Sequence, residues 1–469
     1  MFYKQIKMLY ILLGILSLGF ICLLFLPMQY EKYNGLLALS SSGLGFVVCI
    51  FMYLNFVLSN TQFQYVSIES IPLGLDNLSL CFVILTGFLF PLCLVASWGP
   101  IQTKAYLVCF LGIEILCILV FSVLDLIGFY IFFEGVLIPM FFLIGIYGSR
   151  ARKIRASYFF FIYTLIGSLF LIASIIYIYS VVGTCRMDSL NAYGFSFTQE
   201  KFLWLGFFMS FAVKVPMLPF HIWLPEAHVE APTAGSAILA GVLLKLGVYG
   251  FLRFSLPLFP NASLYFAPFV FCLSVLGVIY TSLTAIRQTD LKRIIAYTSV
   301  AHINLVVIGI FSNSLIGIHG CIIQSLSHGF VSAALFLCIG VLYDRYHTRY
   351  YNHYGGLIHT IPLFGIFFVF FTIANIALPG TSSFVGEFIL FMGIFSQNPI
   401  LCFFGATSIV LSGVYSLWLT NRMVYTNLKT QYLKVFTDLN KCEVFVLGTC
   451  CFNTIFFGLF PNYILNLFN

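Results

Sequence analysis

Residues 204–250 read WLGFFMSFAVKVPMLPFHIWLPEAHVEAPTAGSAILAGVLLKLGVYG, and two lysines, Lys214 and Lys245, sit inside its apolar runs. A lysine at the centre of a bilayer costs roughly 2.5 to 3.5 kcal/mol on insertion scales. Burial of apolar surface gives no reason to place one there. The alternative is a lysine that snorkels to an interface, but both lie about a dozen residues into their runs, too deep for that. Between them, Pro216, Pro219 and Pro225 forbid one continuous helix. Broken backbone at membrane depth is tolerated only inside protein or beside a hydrated cavity. Charge and broken backbone together point to ion or proton conduction.

The rest of the chain supplies a membrane around that stretch. Of its 469 residues, 61% are hydrophobic and 8% charged, against about 25% charged in an average soluble domain. The apolar runs are continuous, which excludes a β-barrel and leaves an all-α polytopic membrane protein. At about 20 residues per crossing, the runs predict about 14 transmembrane helices, at 8–26, 35–59, 77–97, 104–123, 126–147, 157–182, 202–223, 232–252, 264–286, 294–311, 315–342, 361–391, 399–421 and 443–463. The polar stretch 60–76 is expected at a membrane surface. Lys4 and Lys7 precede the first run, and no cleavage site follows it.

Lysine and arginine set the orientation. Loops after odd-numbered spans hold fifteen, including Arg150, Arg152, Lys153, Arg155, Lys292, Arg293, Arg345, Arg349 and Lys434. Loops after even-numbered spans hold three, Arg186, Lys201 and Arg253. The odd loops are therefore predicted to face the cytoplasm or matrix. The net charge of +7 is explained by those loops and gives no sign of a nucleic-acid partner. The 14 cysteines are scattered without a CxxC, and no HExxH occurs, so no metal or disulfide framework is expected. The lone Gly43-x-Gly45 lies in a span, away from any strand-to-helix turn. No cofactor is expected in this chain. Fifty-five Phe and 27 Tyr against 4 Trp hint at an AT-rich organelle genome.

Besides the two lysines, Glu134 in the fifth predicted span and Glu387 in the twelfth are ionisable at membrane depth. A structural ion pair and a tunable proton site are hard to tell apart there, because a carboxylate beside a lysine does both. Burial works against a lysine's charge and a nearby carboxylate favours it, so the competition lets the group take and release a proton. Glu114, in the fourth span, is a candidate of the same kind. His302 follows Thr298 and Ser299 by one turn, and His328 has Gln324 four residues before it. Imidazole both accepts and donates, so these two, and His319, can extend a proton path or be hydrogen-bonded structural residues. His221 and His228 flank LPEA in the broken stretch and fit the wall of a connecting path. The seventh span is interrupted by its prolines, the twelfth by Pro379 and Gly380 in ALPGTSSFVGEF. Breaks at matching places predict inverted repeats: spans 4–8 (residues 104–252) and 9–13 (253–425), flanked by an N-terminal three-helix segment (1–103) and a C-terminal span (426–469).

Five stretches carry a resemblance: FYIFFEGVLIPMFFLIGIYGSR, FAVKVPMLPFHIWLPEAHVEAPTAGSAILAGVLLKLGVYG, RQTDLKRIIAYTSVAHINLVVIG, SHGFVSAALFLCIGVLYDRYHTR and LPGTSSFVGEF. In family order from about residue 70 to the end, they resemble the subunit 4 family of proton-pumping NADH:ubiquinone oxidoreductase, respiratory complex I, which is itself similar to subunits of cation/proton antiporters. The resemblance implies two inverted five-helix repeats with broken helices 7 and 12. It implies a pair between Glu134 and Lys214, a central relay at Lys245, histidines at His302 and His328, and Glu387 near the outer exit. It implies redox energy supplied by other subunits, membrane-arm subunits and lipids as partners, and a place in the mitochondrial inner membrane. The GSRARKIR loop resembles the plant and protist form. The rival readings are a subunit of a sodium/proton antiporter and a purely structural membrane-arm subunit.

Overall fold

The computed structural model describes residues 2–26, 31–59, 63–67, 72–98, 103–432 and 437–468. Among these, twelve helices are long and apolar enough to cross a membrane. The seventh predicted span is the helix Phe197–Lys214, which carries Glu200, Lys201 and Lys214. The twelfth is two shorter apolar helices, Pro362–Asn375 and Ser382–Gln397. The chain is thus all-α and polytopic, apart from a small antiparallel hairpin, Phe63–Ser67 with Pro72–Asp76. That hairpin occupies the described part of the polar stretch; residues 60–62, 68–71 and Lys434 lie outside the described residues.

Short polar residues ahead of the apolar runs start the helices. Asp125 accepts from Gly128 N at 3.0 Å, Ser314 from Gly317 N at 3.0 Å and Asn398 from Ile400 N at 3.0 Å. Each satisfies a backbone donor that the first helical turn leaves without a partner. Asp290 does the same for Lys292 N at 3.1 Å, so the tenth helix starts at Leu291. Lys292, expected in a loop, is therefore inside the helix and buried. Arg253, also expected in a loop, lies in the continuous helical run Thr233–Leu258.

Three departures from regular helix were not expected. The fifth span divides at Val136 into Leu126–Gly135 and Leu137–Tyr147. Pro139 has no N–H to give the carbonyl four residues back, at Gly135, which loosens the ladder there. The eighth span holds two wide π-helical turns, Leu239–Leu243 and Phe251–Ser255, on either side of Leu244–Gly250. Such turns are inserted where a helix serves a site more often than by chance.

The chain forms two compact units. The first comprises residues 1–214, 230–235 and 242–265, the second 215–229, 236–241 and 266–469. Within the first, Gly206 faces Ser174 and the Phe170 carbonyl, so the Lys153–Val182 and Phe197–Lys214 helices approach closely. Within the second, Gly320 faces the Leu390 backbone and Gly386 faces the Gln324 backbone. A Cβ at either position would overlap the opposite main chain, so small residues bring Leu315–Tyr346 and Ser382–Gln397 together.

Candidate proton-conducting site

In the first unit the fifth-span break sets Glu134 at the end of its helix, one residue before Gly135. Lys214 ends the Phe197–Lys214 helix, where Pro216 prevents a further regular turn. The two side chains lie within electrostatic reach of one another. Lys214 Nζ stands 4.5 Å from the centre of the Phe133 ring, so an aromatic face shares the ammonium with the carboxylate. Ser168 is within hydrogen-bonding reach of Glu134. Lys245 is fully buried just past the first π turn, on a helical piece packed against Phe197–Lys214. Glu114 is fully buried as well. Cys117 lies within electrostatic reach of both Glu114 and Lys214, which places Glu114 beside this set.

The second unit holds a tighter cluster. His302 Nδ1 is 3.1 Å from Glu387 Oε1, and Gln324 Nε2 donates to the same oxygen at 3.0 Å. The His328 ring lies 5.9 Å from the His302 ring, centre to centre. Tyr415, hydrogen-bonded to Asn375, is within electrostatic reach of Glu387. His302, Gln324, His328, Asn375, Glu387 and Tyr415 are all buried. The Thr298 and Ser299 hydroxyls, expected to extend the polar face, both donate to the Ile295 carbonyl, at 2.8 and 3.0 Å.

The remaining candidates have aromatic neighbours. His319 faces the Phe468 ring at 5.7 Å. His221 lies between Tyr280 and Tyr297, at 5.8 and 6.5 Å. His228 stacks on Phe336 at 4.6 Å with planes 6° apart. Its carbonyl accepts from Ser236 Oγ at 3.0 Å, and Lys292 Nζ donates to that hydroxyl at 3.3 Å. The burial of Lys292 leaves no trace in the sequence, because a lysine at the edge of an apolar run has the pattern of loop charge. Gln324 stands out in the sequence only as a neighbour of His328; its bond to Glu387 spans 63 residues of chain and leaves no local signal.

Residues 123–412 match the family described as NADH:quinone oxidoreductase/Mrp antiporter, TM. The chain is 51% identical over 459 residues to NADH-ubiquinone oxidoreductase chain 4 of Arabidopsis thaliana, covering 96% of this chain and 93% of that one. The Prototheca wickerhamii chain of the same name is 49% identical over 474 residues, covering 96% and 91%. Among solved structures, a chain of respiratory complex I from Thermus thermophilus superposes with a TM-score of 0.89 at 26% identity, covering 98% of this chain and 97% of that one. A chain of an archaeal membrane-bound sulfane sulfur reductase shares the fold, with a TM-score of 0.88 at 20% identity over 98% and 77% of the two chains.

Proposed function

This chain belongs to the NADH:quinone oxidoreductase/Mrp antiporter transmembrane family, and we propose that it carries protons through the two sets of buried ionisable side chains described above. It is a proton-pumping membrane-arm subunit of NADH:ubiquinone oxidoreductase, working with the other subunits of that complex in the mitochondrial inner membrane. The antiporter alternative is not favoured, since relatives covering 96% of the chain are oxidoreductase subunits.

In the first set, Glu134 and Lys214 act as a switchable pair. Paired, the carboxylate holds the ammonium charged. When the pair opens, the ammonium loses its counter-charge in a poorly solvated place and gives its proton to Lys245. A change in interaction of about 1.4 kcal/mol alters proton affinity tenfold, so a modest movement is enough. The Gly135–Val136 break and the end of the helix at Lys214 give both partners room to move. In the second set, His302, His328 and Glu387 take up protons and release them, with Glu387 last. Redox energy reaches this chain from other subunits, and no redox group of its own enters the reading. Glu114 is an auxiliary acid beside Lys214, and His221, His228 and His319 lie along side routes. Spans 4–8 and 9–13 are the inverted repeats that hold the two sets.

The observation that carries this reading is the hydrogen-bonded cluster His302–Glu387–Gln324, with Oε1 shared at 3.1 and 3.0 Å inside an apolar protein. A scaffold would do better with leucine at such depth. The test is the proton-to-electron ratio of the assembled complex carrying Glu387→Gln or Lys214→Ala. The ratio is expected to fall with NADH oxidation coupled less tightly; an unchanged ratio in both variants overturns the reading in favour of a scaffold.

A further inference from the structure

On one side of the first unit, a cavity of about 250 Å³ is lined by Asp76, Asp188, Asn191 and Arg253 among other residues. The loops that frame it are stitched by main-chain bonds: Leu124 N to Pro72 O at 3.0 Å and Met187 N to Leu124 O at 3.1 Å. They follow the second, fourth, sixth and eighth spans, so by the distribution of lysine and arginine this is the outer face. In its lining the Arg253 guanidinium donates through Nη1 to Asp76 Oδ2. Arg253 Nε has no hydrogen-bond partner among the described residues. Asp188 is within electrostatic reach of the guanidinium.

Lys245, Tyr249 and Arg253 recur every four residues along one helical run. Tyr249 is therefore the residue between the relay lysine and the cavity along the helix, and it is buried. Its hydroxyl donates to the Phe121 carbonyl at 3.1 Å. Its ring is bordered by Phe121, Phe82, Phe129 and Phe254, at 5.2, 6.2, 6.4 and 6.4 Å. All five rings are buried. The cavity is thus lined at the outer side by the Arg253–Asp76 pair, and along the helix the aromatic group around Tyr249 stands between that pair and Lys245. Arginine stays charged at any physiological pH, and a fixed guanidinium at a pore mouth opposes the entry of protons and other cations.

We propose that Arg253, held in place by Asp76, is a positioning residue that closes the outer end of the first unit to protons, so that a proton on Lys245 cannot exchange with the outer space through this cavity. The inference rests on the assignment of Lys245 as a relay. Arg253 does not carry the proton; it decides the direction in which the proton cannot go. Asp76 offsets its formal charge and fixes its place, so the barrier is the anchored guanidinium itself, held in one position at the mouth. The second π turn, Phe251–Ser255, begins one residue after Gly250 and contains Arg253.

The test uses the whole complex reconstituted in vesicles. Removing Arg253 alone would leave a largely buried carboxylate unpaired and endanger folding, so the main variant is Asp76→Asn with Arg253→Gln, which removes both charges together. Passive proton conductance, measured by dye quenching without NADH, is expected to rise several-fold, and to return to the wild-type value when Lys245→Met is added. Arg253→Lys keeps the charge and is expected to remain tight. Tyr249→Phe keeps the plug and is expected to pump normally. An assembled double variant that stays tight overturns the proposal, as does a leak that survives Lys245→Met. A fall in pumping by Tyr249→Phe with no leak also overturns it, because the cavity would then be a release route. Lys245→Met alone tests the relay itself: full pumping in that variant sinks the relay assignment without touching the leak measurement.

Discussion

The two units hold their acids in opposite ways. In the first, Glu134 and Lys214 feel each other's charge while Phe133 takes one side of the ammonium, and Lys245 is buried a helix away. In the second, Glu387 is tied directly to His302 and Gln324 through a single oxygen. A pair governed by distance responds steeply to small movements, because Coulomb energy in a poorly solvated place changes strongly over a few ångströms. A carboxylate fixed by hydrogen bonds responds little to movement and keeps a defined geometry for transfer. The first arrangement suits a switch and the second suits a docking point for protons in transit.

The widest separation between the two is expected from charge removal in the switch. Lys214→Ala takes away the buried cation within electrostatic reach of Glu134, and should abolish or sharply reduce pumping through this subunit while the complex still assembles. Blue-native electrophoresis with NADH staining checks assembly, and the proton-to-electron ratio checks function. Normal stoichiometry in Lys214→Ala would remove the switch from the mechanism and leave the hydrogen-bonded cluster alone.

The second unit should instead be sensitive to shape. Gly386→Ala pushes a methyl group against the Gln324 backbone, and Gly320→Ala does the same to the backbone of Leu390. Overpacking of this kind costs about 1–3 kcal/mol, and at Gly386 it displaces the donor of Glu387 as well. Both variants should lower the thermal stability of the complex, measured by in-gel activity after heating, but only Gly386→Ala should also slow pumping at permissive temperature. Equal pumping in the two would show that the register of these helices does not matter to Glu387.

These sites were unequally visible in the sequence, for physical reasons. An ionisable residue in an apolar run is conspicuous because the membrane penalises it, so Glu134, Lys214, Lys245 and Glu387 could be picked out one at a time. Proline and glycine announced the breaks after Lys214 and before Ser382. The partners were not visible, because which faces meet depends on helix register and on glycines such as Gly386 whose effect is exerted across the interface. Lys292 and Arg253 misled for another reason: a cation near the end of an apolar run has the same local pattern whether it lies in a loop or is drawn into the helix by a cap or a π turn. The division at Val136 left only Pro139 as a trace.

A finer probe of the contrast compares one neutral hydrogen-bond donor in each unit. Gln324→Leu removes the amide that donates to Glu387 at 3.0 Å. A hydrogen bond to a charged group is worth about 1.5–3 kcal/mol, so pumping should slow by about tenfold or more if Glu387 is ionised during the cycle. Gln324→Glu is not an equivalent test, since it adds a second acid.

Ser168→Ala removes the hydroxyl within reach of Glu134, and here the effect should be the smallest. The hydroxyl also donates to the Leu165 carbonyl at 2.9 Å, so it has an alternative partner within its own helix. Serine and threonine in helices commonly divide their hydrogen bonding in this way, and the part given to Glu134 is correspondingly weak. A change of about 0.5–1 kcal/mol amounts to a few-fold in rate and leaves stoichiometry intact. If Ser168→Ala instead matched Gln324→Leu, Glu134 would be held by its hydrogen bond and not by distance from Lys214, and the difference between the two units would disappear.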